Sequence, residues 1–210
     1  MQVVVAGQGY VGLPLAVRAA EAGHRVVGYD VDTHRVQQLT AGQSYVEDVA
    51  SSRLRAVLDS GASSATADTE ALAGFDVALI TVPTPLRDGV PDLAYVESCA
   101  RTLGEHLRPG ATMVLEPTTY PGATEELLLR ILEKASGFKG GVDFLAGFSP
   151  ERIARIAPGS KRWSFEGTPK LVSGIDAKSL DAVKGFHDGI FQTTVPVSEP
   201  KVAELLNLIG

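Results

Sequence analysis

Three apolar, strand-like runs in this chain end in short polar segments fixed by proline. FDVALITV passes into Pro83-Thr84-Pro85, ATMVL into EPTTYPGAT (116–124), and VDFLAGF into Ser149-Pro150-Glu151-Arg152. Hydroxyls and carboxylates held rigidly at strand ends are what general acid–base chemistry and water activation require. Taken alone, each segment is also an ordinary strand-to-helix connection, and Thr124 ahead of Glu125 and Glu126 reads as a helix cap. Three at one sheet edge favour a site, because ligands of open α/β sheets bind beyond the carboxyl ends of the strands.

A fourth strand end carries glycines. In VVVAGQGYVGLPLA (3–16), Gly7, Gly9 and Gly12 match G-x-G-x-x-G, a pattern that 22 glycines in 210 residues can produce by accident. The context argues against accident. An apolar strand precedes the glycines, and LPLAVRAAEAG, a helical pattern closed by Gly23, follows them. Gly7 then serves the tight turn, Gly9 the approach of a pyrophosphate, and Gly12 close helix–strand packing, with the helix N-terminus facing the phosphates. The second strand ends in Asp30, close to the spacing expected for an acid on the adenosine ribose. Its carboxylate would repel a 2′-phosphate, which favours NAD over NADP, although Arg35 complicates that preference.

These residues need a frame to position them. Strand candidates QVVVAG, HRVVGYD, FDVALITV, ATMVLE, VDFLAGF and PKLVSG alternate with amphipathic stretches near 11–23, 33–41, 50–59, 92–107, 124–135 and 177–188. That alternation, with nearly continuous apolar strands, predicts an α/β, Rossmann-like doubly wound and mainly parallel sheet covered by helices on both faces. APGSKRWSFEGT reads as a loop. At 210 residues the chain can bury one good core and part of a second domain.

Composition removes several function classes. The net charge of −6, with dispersed basic residues, favours neither nucleic acid nor an anionic membrane. No run of apolar residues is long enough to span a bilayer. A single cysteine, Cys99, excludes an internal disulfide framework and fits a reducing cytoplasm. Four scattered histidines show no metal-ligand spacing, so no metal site is expected.

In order and spacing, VAGQGYVGLPLA, Asp30, VPTPL, EPTTYPGAT, FSPERI and TPKLVSG resemble the UDP-glucose/GDP-mannose dehydrogenase family, over essentially the whole chain. The Y-P-G-A-T and S-P-E-R variants are more similar to its UDP-N-acetylhexosamine branch than to its UDP-glucose branch. The resemblance implies oxidation of the C6 alcohol of a UDP-sugar to a carboxylate with two NAD, through an aldehyde-level intermediate held on a cysteine. It further implies Glu151 as general base and Thr119, with Thr118 as the second choice, as organiser of the catalytic water. Thr84 matches a cofactor-contacting threonine. Tyr10, Val11, Asp30 and Arg35 match positions lining NAD, with Val82, Pro83 and Thr119 at the same edge.

The chain departs from the family pattern in three places. Cys99 lies on the stripe Val96, Cys99, Ala100, Leu103, Leu107 of a helix, so it is expected to be a structural thiol. The family nucleophile would fall beyond residue 210. In AELLNL, Asn207 stands where the family usually carries a catalytic lysine. Either the helix aligns with a shift, or another cation serves, or the chemistry is impaired. RIARIAPG is longer than the family's usual passage and carries Arg155, either an anion-recognising residue or a solvated loop charge.

The C-terminal segment SEPKVAELLNLIG shows the helical stripe Val202, Leu205, Leu206, Ile209, running to the last residues without a cap. The expected organisation is an NAD-binding domain over 1–197 and the start of an interdomain or dimerisation helix over 198–210. A substrate-binding second domain is missing, and the full-length protein is expected to be a homodimer. Alone, this stretch is expected to bind NAD without turning over sugar. A short-chain dehydrogenase is excluded, since no tyrosine is followed four residues later by lysine. The remaining rival is a redox-impaired nucleotide-binding module, for which Asn207 speaks.

Overall fold

The computed structural model describes residues 1–87, 89–151 and 167–209. Arg155, the segment RIARIAPG and most of APGSKRWSFEGT lie outside the described residues, and so does Gly210.

Gln2–Ala6 (β1) leads through the glycine turn into Gly12–Glu21 (α1) and back to Arg25–Tyr29 (β2). Thr33–Thr40 (α2), Ser51–Asp59 (α3) and Ser63–Thr66 (β3) follow, then a 3₁₀ turn at Thr69–Leu72 and Val77–Ile80 (β4). A small hairpin, Leu86–Arg87 (β5) with Val90–Pro91 (β6), precedes Ala94–Glu105 (α4) and Thr112–Leu115 (β7). A π-helical turn at Thr124–Leu128 continues into Leu129–Ser136 (α5), followed by Leu145–Phe148 (β8). Lys170–Val172 (β9), Ala177–Asp188 (α6), Thr194–Pro196 (β10) and Pro200–Ile209 (α7) complete the described chain.

The main sheet has six strands in the order β3-β2-β1-β4-β7-β8, all parallel. This is the doubly wound Rossmann order. The chain moves outward from β1 to β3 and then crosses to β4, so the crevice between the ends of β1 and β4 is the switch point where such sheets bind ligands.

Strand residues alternate between two cores. Val3, Val5, Val77, Leu79 and Val114 pack with α1 and α6 residues such as Leu15, Val183 and Phe186. Val4, Ala6, Ala78, Ile80, Met113 and Leu115 pack on the other face with Leu103 of α4 and Leu132 of α5. Burying both faces is why these strands read as continuous apolar runs. Each fully buried leucine or valine contributes about 1.5–3 kcal/mol, so the sheet edge that carries the polar groups rests on a rigid base.

Two expectations are corrected, and the structure adds a strand and the buried face of the last helix. PKLVSG does form a strand, but β9 pairs with β10 in a separate two-stranded ribbon rather than within the parallel sheet. It meets β8 only through its continuation, where Ser173 and Ile175 donate to Phe148 and Ala146 in antiparallel sense. Edge strand β3, Ser63-Ser64-Ala65-Thr66, escapes sequence reading because its small polar residues carry no apolar run. The last helix forms over Pro200–Ile209 as expected; it buries Pro200, Ala203 and Glu204, and its apolar stripe reaches the surface, with Leu205 48% and Ile209 73% exposed. Thr124 does not cap the following helix with its own side chain. That task falls to Glu204, whose carboxylate accepts the amides of Gly122 and Thr124.

Candidate functional site

The glycine turn is shaped by what surrounds each glycine. Gly7 has φ +94°, and its amide donates to the Tyr29 carbonyl at 2.8 Å, tying the end of β1 to β2. A Cβ on Gly7 would stand 3.0 Å from the Thr81 carbonyl and the Val82 nitrogen, and one on Gly12 only 1.8 Å from the Gly7 oxygen. A Cβ on Gly9 would meet nothing within 4 Å. The turn is therefore closed on the protein side and open at Gly9, which leaves room for a ligand to approach its backbone. Helix α1 starts there without a side-chain cap at Val11, so its N-terminal dipole and amides are available to phosphate oxygens. Tyr10, 65% exposed, projects from the same turn.

Asp30, at the end of β2, is buried yet well solvated by protein donors. Its Oδ2 accepts the Gln8 amide at 2.8 Å, and its Oδ1 accepts the Asp32 amide at 2.9 Å. Each carboxylate oxygen has a further lone pair, so the same group can brace the glycine turn and accept from a ribose diol. Arg35 lies 3.6 Å from Asp30 and 3.6 Å from Asp32, which hold it as a paired cation. Its guanidinium stands 5.9 Å from the ring centre of Tyr45, whose hydroxyl donates to the Gln8 carbonyl at 2.5 Å. Burial, helped by the Asp30 charge, pushes the Tyr45 phenol up to about 12, so it remains a donor. Tyr45 pins the turn from outside, and no motif in the sequence singles it out.

At the end of β4, the Thr81 hydroxyl bonds the carbonyls of Ala6 (2.9 Å) and Gly7 (2.7 Å), clamping the two strand ends together. Val82, Pro83 and Thr84 continue from this clamp. Val82 and Thr84 are half-buried and Pro83 is exposed, and the Val82 nitrogen lies against Gly7 of the turn.

A cluster of charged side chains gathers around the ends of β7 and β8. Glu151, with a side chain 12% exposed, pairs at 3.1 Å with Lys170 at the head of β9. Lys170 also bonds buried Glu116 at 2.8 Å, and Glu116 meets His187 of α6 at 3.3 Å. Burial alone would raise the Glu116 carboxyl, but Lys170 and His187 outweigh it and hold Glu116 below the ordinary carboxylate range. Burial likewise opposes the Lys170 charge, and the two carboxylates more than offset it, so Lys170 stays charged. None of Glu116, Lys170 or His187 was expected from the sequence as a site residue. Their sequence signal is that Glu116 opens EPTTYPGAT and Lys170 lies within TPKLVSG.

Thr119 is 1% exposed, and among the described residues its hydroxyl is a buried polar atom with no hydrogen-bond partner. Such an orphan calls for a partner that binds there. Thr118 is exposed and accepts from the Asn207 amide at 3.2 Å. The register of α7 thus brings Asn207 to Thr118. Cys99 lies apart in α4, buried, and burial pushes its thiol up to about 12. It is no nucleophile at neutral pH. Among the described residues no three His, Cys, Asp or Glu side chains converge on a metal position.

Strand order, open glycine turn and buried acid together define a dinucleotide-binding domain of the Rossmann type. Residues 1–187 match the family model described as UDP-glucose/GDP-mannose dehydrogenase family, NAD binding domain, and the chain belongs to that family, with NAD as its cofactor. It is 32% identical over 210 residues to the UDP-N-acetyl-D-mannosamine dehydrogenase of Pyrococcus horikoshii, covering 100% of this chain and 49% of that protein. It is 35% identical over 211 residues to the UDP-N-acetyl-D-glucosamine 6-dehydrogenase of Pseudomonas aeruginosa, covering 100% and 48%. The solved UDP-D-ManNAc dehydrogenase structure from Pyrococcus horikoshii superposes with a TM-score of 0.91 at 31% identity, covering 100% of this chain and 49% of that one. These relatives support the UDP-N-acetylhexosamine branch. The chain spans about half the length of the curated relatives it matches.

Proposed function

We propose that this chain is the NAD-binding portion of a nucleotide-sugar 6-dehydrogenase that oxidises the C6 hydroxyl of a UDP-sugar to a carboxylate. UDP-N-acetylhexosamine is the first candidate and UDP-glucose the second. The observation that carries the reading is the convergence of a lysine-held carboxylate, Glu151, and an orphaned buried hydroxyl, Thr119, at the sheet edge that also bears the glycine turn.

Bound NAD supplies the hydride acceptor, one molecule for each of the two oxidations. In this reading the amides around Gly9 and the N-terminus of α1 hold the pyrophosphate, and Asp30 selects the unphosphorylated ribose. Val82, Pro83 and Thr84 line the path from that ribose toward the ends of β7 and β8. Glu151 takes a proton from the reacting oxygen or water, and the Thr119 hydroxyl orients the water, with Thr118 as the alternative. The overall change consumes one alcohol, two NAD and one water, and it releases one carboxylate, two NADH and three protons. Proton acceptors at the site are therefore a requirement of the stoichiometry. Domain limits at 1–197 and 198–210, dimerisation of the full-length protein and a cytoplasmic setting belong to the same proposal. Among the described residues no helix is long and apolar enough to cross a membrane.

The test is NADH formation by the longest natural chain carrying this sequence, against a panel of UDP- and GDP-sugars. Turnover with a UDP-N-acetylhexosamine supports the reading. Asn207 beside Thr118 favours a second one, a redox-impaired NAD-binding module. Tight NAD binding by calorimetry with no turnover on any sugar would select it.

A further inference from the structure

We propose that Lys170 is the positioning residue that holds Glu151 at the site, backed by a Glu116–His187 pair that shares one buried proton. The inference rests on the dehydrogenase reading for its catalytic consequence, but the shared proton stands on geometry alone.

Four charged or titratable side chains form a row. Lys170 is 3% exposed, with Nζ 2.8 Å from Glu116 Oε2 and 3.1 Å from Glu151 Oε2. The other Glu116 oxygen, Oε1, faces His187 Nε2 at 3.3 Å. His187 Nδ1 lies 2.7 Å from the Val183 carbonyl. A carbonyl can only accept, so Nδ1 carries a hydrogen. In a neutral ring Nε2 would then be an acceptor pointing at a carboxylate oxygen, also an acceptor. The contact is attractive only if a proton lies between the two atoms, and with Glu116 paired as a carboxylate to Lys170 its place is on the imidazole side.

That proton balances the row. With it present and Glu151 ionised, the four groups sum to zero charge, the state a buried cluster favours. The His187 and Glu116 side chains are both 0% exposed, Lys170 is 3% and Glu151 is 12%. Among the described residues, the row is therefore most open at Glu151, and at its inner end it meets the Val183 carbonyl. This arrangement orients one carboxylate rather than conducting protons through the protein. Backbone pairing fixes Lys170 from behind, since its amide donates to the Thr193 carbonyl at 2.9 Å. Phe191 covers the ammonium, with Nζ 5.3 Å from the ring centre.

Among the described residues, charged groups near the row have partners of their own. On α6, Asp188 pairs with Lys184 and also accepts from the Thr194 hydroxyl. From α1 and the turn after it, Arg18 reaches the Ile190 carbonyl at 3.1 Å and His24 packs 5.6 Å from the Phe186 ring.

Two measurements test the proposal. In this chain, nitrogen NMR of the His187 ring and carbon NMR of the Glu116 carboxyl near neutral pH should show a proton on the pair. A bare Nε2 beside an ionised Glu116 would overturn it, whatever the chain's activity. In the active full-length enzyme, Lys170→Met should lower kcat by roughly tenfold or more. It should also move the acid limb of the pH–rate profile upward while NAD affinity stays within about twofold, and Lys170→Arg should restore most of the loss. An equal loss at every pH in both variants would mean Lys170 is only structural. Should no full-length form turn over any nucleotide sugar, the dehydrogenase reading falls, and the spectra of this chain still decide the shared proton.

Discussion

Glu204, fully buried in α7, accepts the amide of Thr124 at 2.8 Å and its hydroxyl at 2.6 Å, across 80 residues of sequence. The Gly122 amide bonds the same carboxylate. A residue near the end of the chain thereby caps the helical segment after EPTTYPGAT and sets the register of α7. Three residues on, that register delivers Asn207 to Thr118. Replacing Glu204 with alanine strands two buried amides, and we expect a loss of about 3 kcal/mol, measured by urea unfolding. A loss below about 1 kcal/mol would contradict the capping role.

Gly9 and Gly12 should separate binding from folding. Gly12→Ala forces a methyl against the Gly7 carbonyl, so a loss of about 2 kcal/mol or more is expected. Gly9→Ala enters open space, so its melting temperature should stay near that of the parent, while NAD affinity falls roughly tenfold as the methyl occupies the phosphate approach. Thermal melts and calorimetry on both variants make the comparison.

Asp30→Ala should weaken NAD binding by about tenfold and narrow the preference against NADP, because the acceptor for the ribose and the repulsion of a 2′-phosphate leave together. Calorimetry with both cofactors reads this. Unchanged affinity for NAD would remove the ribose assignment.

The Glu116–Lys170 pair gives stability limits on both sides of neutrality. Glu116 is held below its ordinary value of 4.5, so its contribution is complete above that value and is lost as pH falls through the lower folded one. Lys170 is held above its ordinary 10.5, so its contribution is complete below that value and is lost as pH rises through the higher folded one. Unfolding free energy followed across pH should be flat between these limits as far as this pair is concerned. In Lys170→Met, Glu116 is left buried without its cation, and about 3–5 kcal/mol should be lost.

Asn207→Lys would place an ammonium beside Thr118, where a developing oxyanion needs positive charge. In the full-length enzyme we expect kcat to rise about tenfold or more. No change would show that another cation already serves the site.

Most of the sheet could be read in advance, because β1, β2, β4, β7 and β8 are buried on both faces and so are apolar throughout. Strand β3 could not: its residues Ser63-Ser64-Ala65-Thr66 lie at the sheet edge, and backbone pairing with β2 alone defines it. The glycine turn and Asp30 were equally legible, since turn geometry and phosphate approach restrict residue types over a short span. The stripe on α7 announced the helix but not the face it buries, because that face carries a carboxylate. Glu204 has a caged set of donors to satisfy it, and local hydrophobicity cannot register a partner 80 residues away.

By itself the sequence determined a doubly wound, mainly parallel α/β sheet, the glycine turn after β1, the acid at the end of β2 and the buried setting of Cys99. Each follows from patterns within one element or one turn. Only the tertiary structure decided what holds Glu151, because Glu116, Glu151, Lys170 and His187 come from four separate segments. It also decided that Thr81 and Tyr45 brace the glycine turn, and that Asn207 lies at Thr118. Residue type announces a charge, whereas the cancellation of buried charges depends on which distant segments the sheet brings within 3 to 4 Å, roughly the reach of an ion pair.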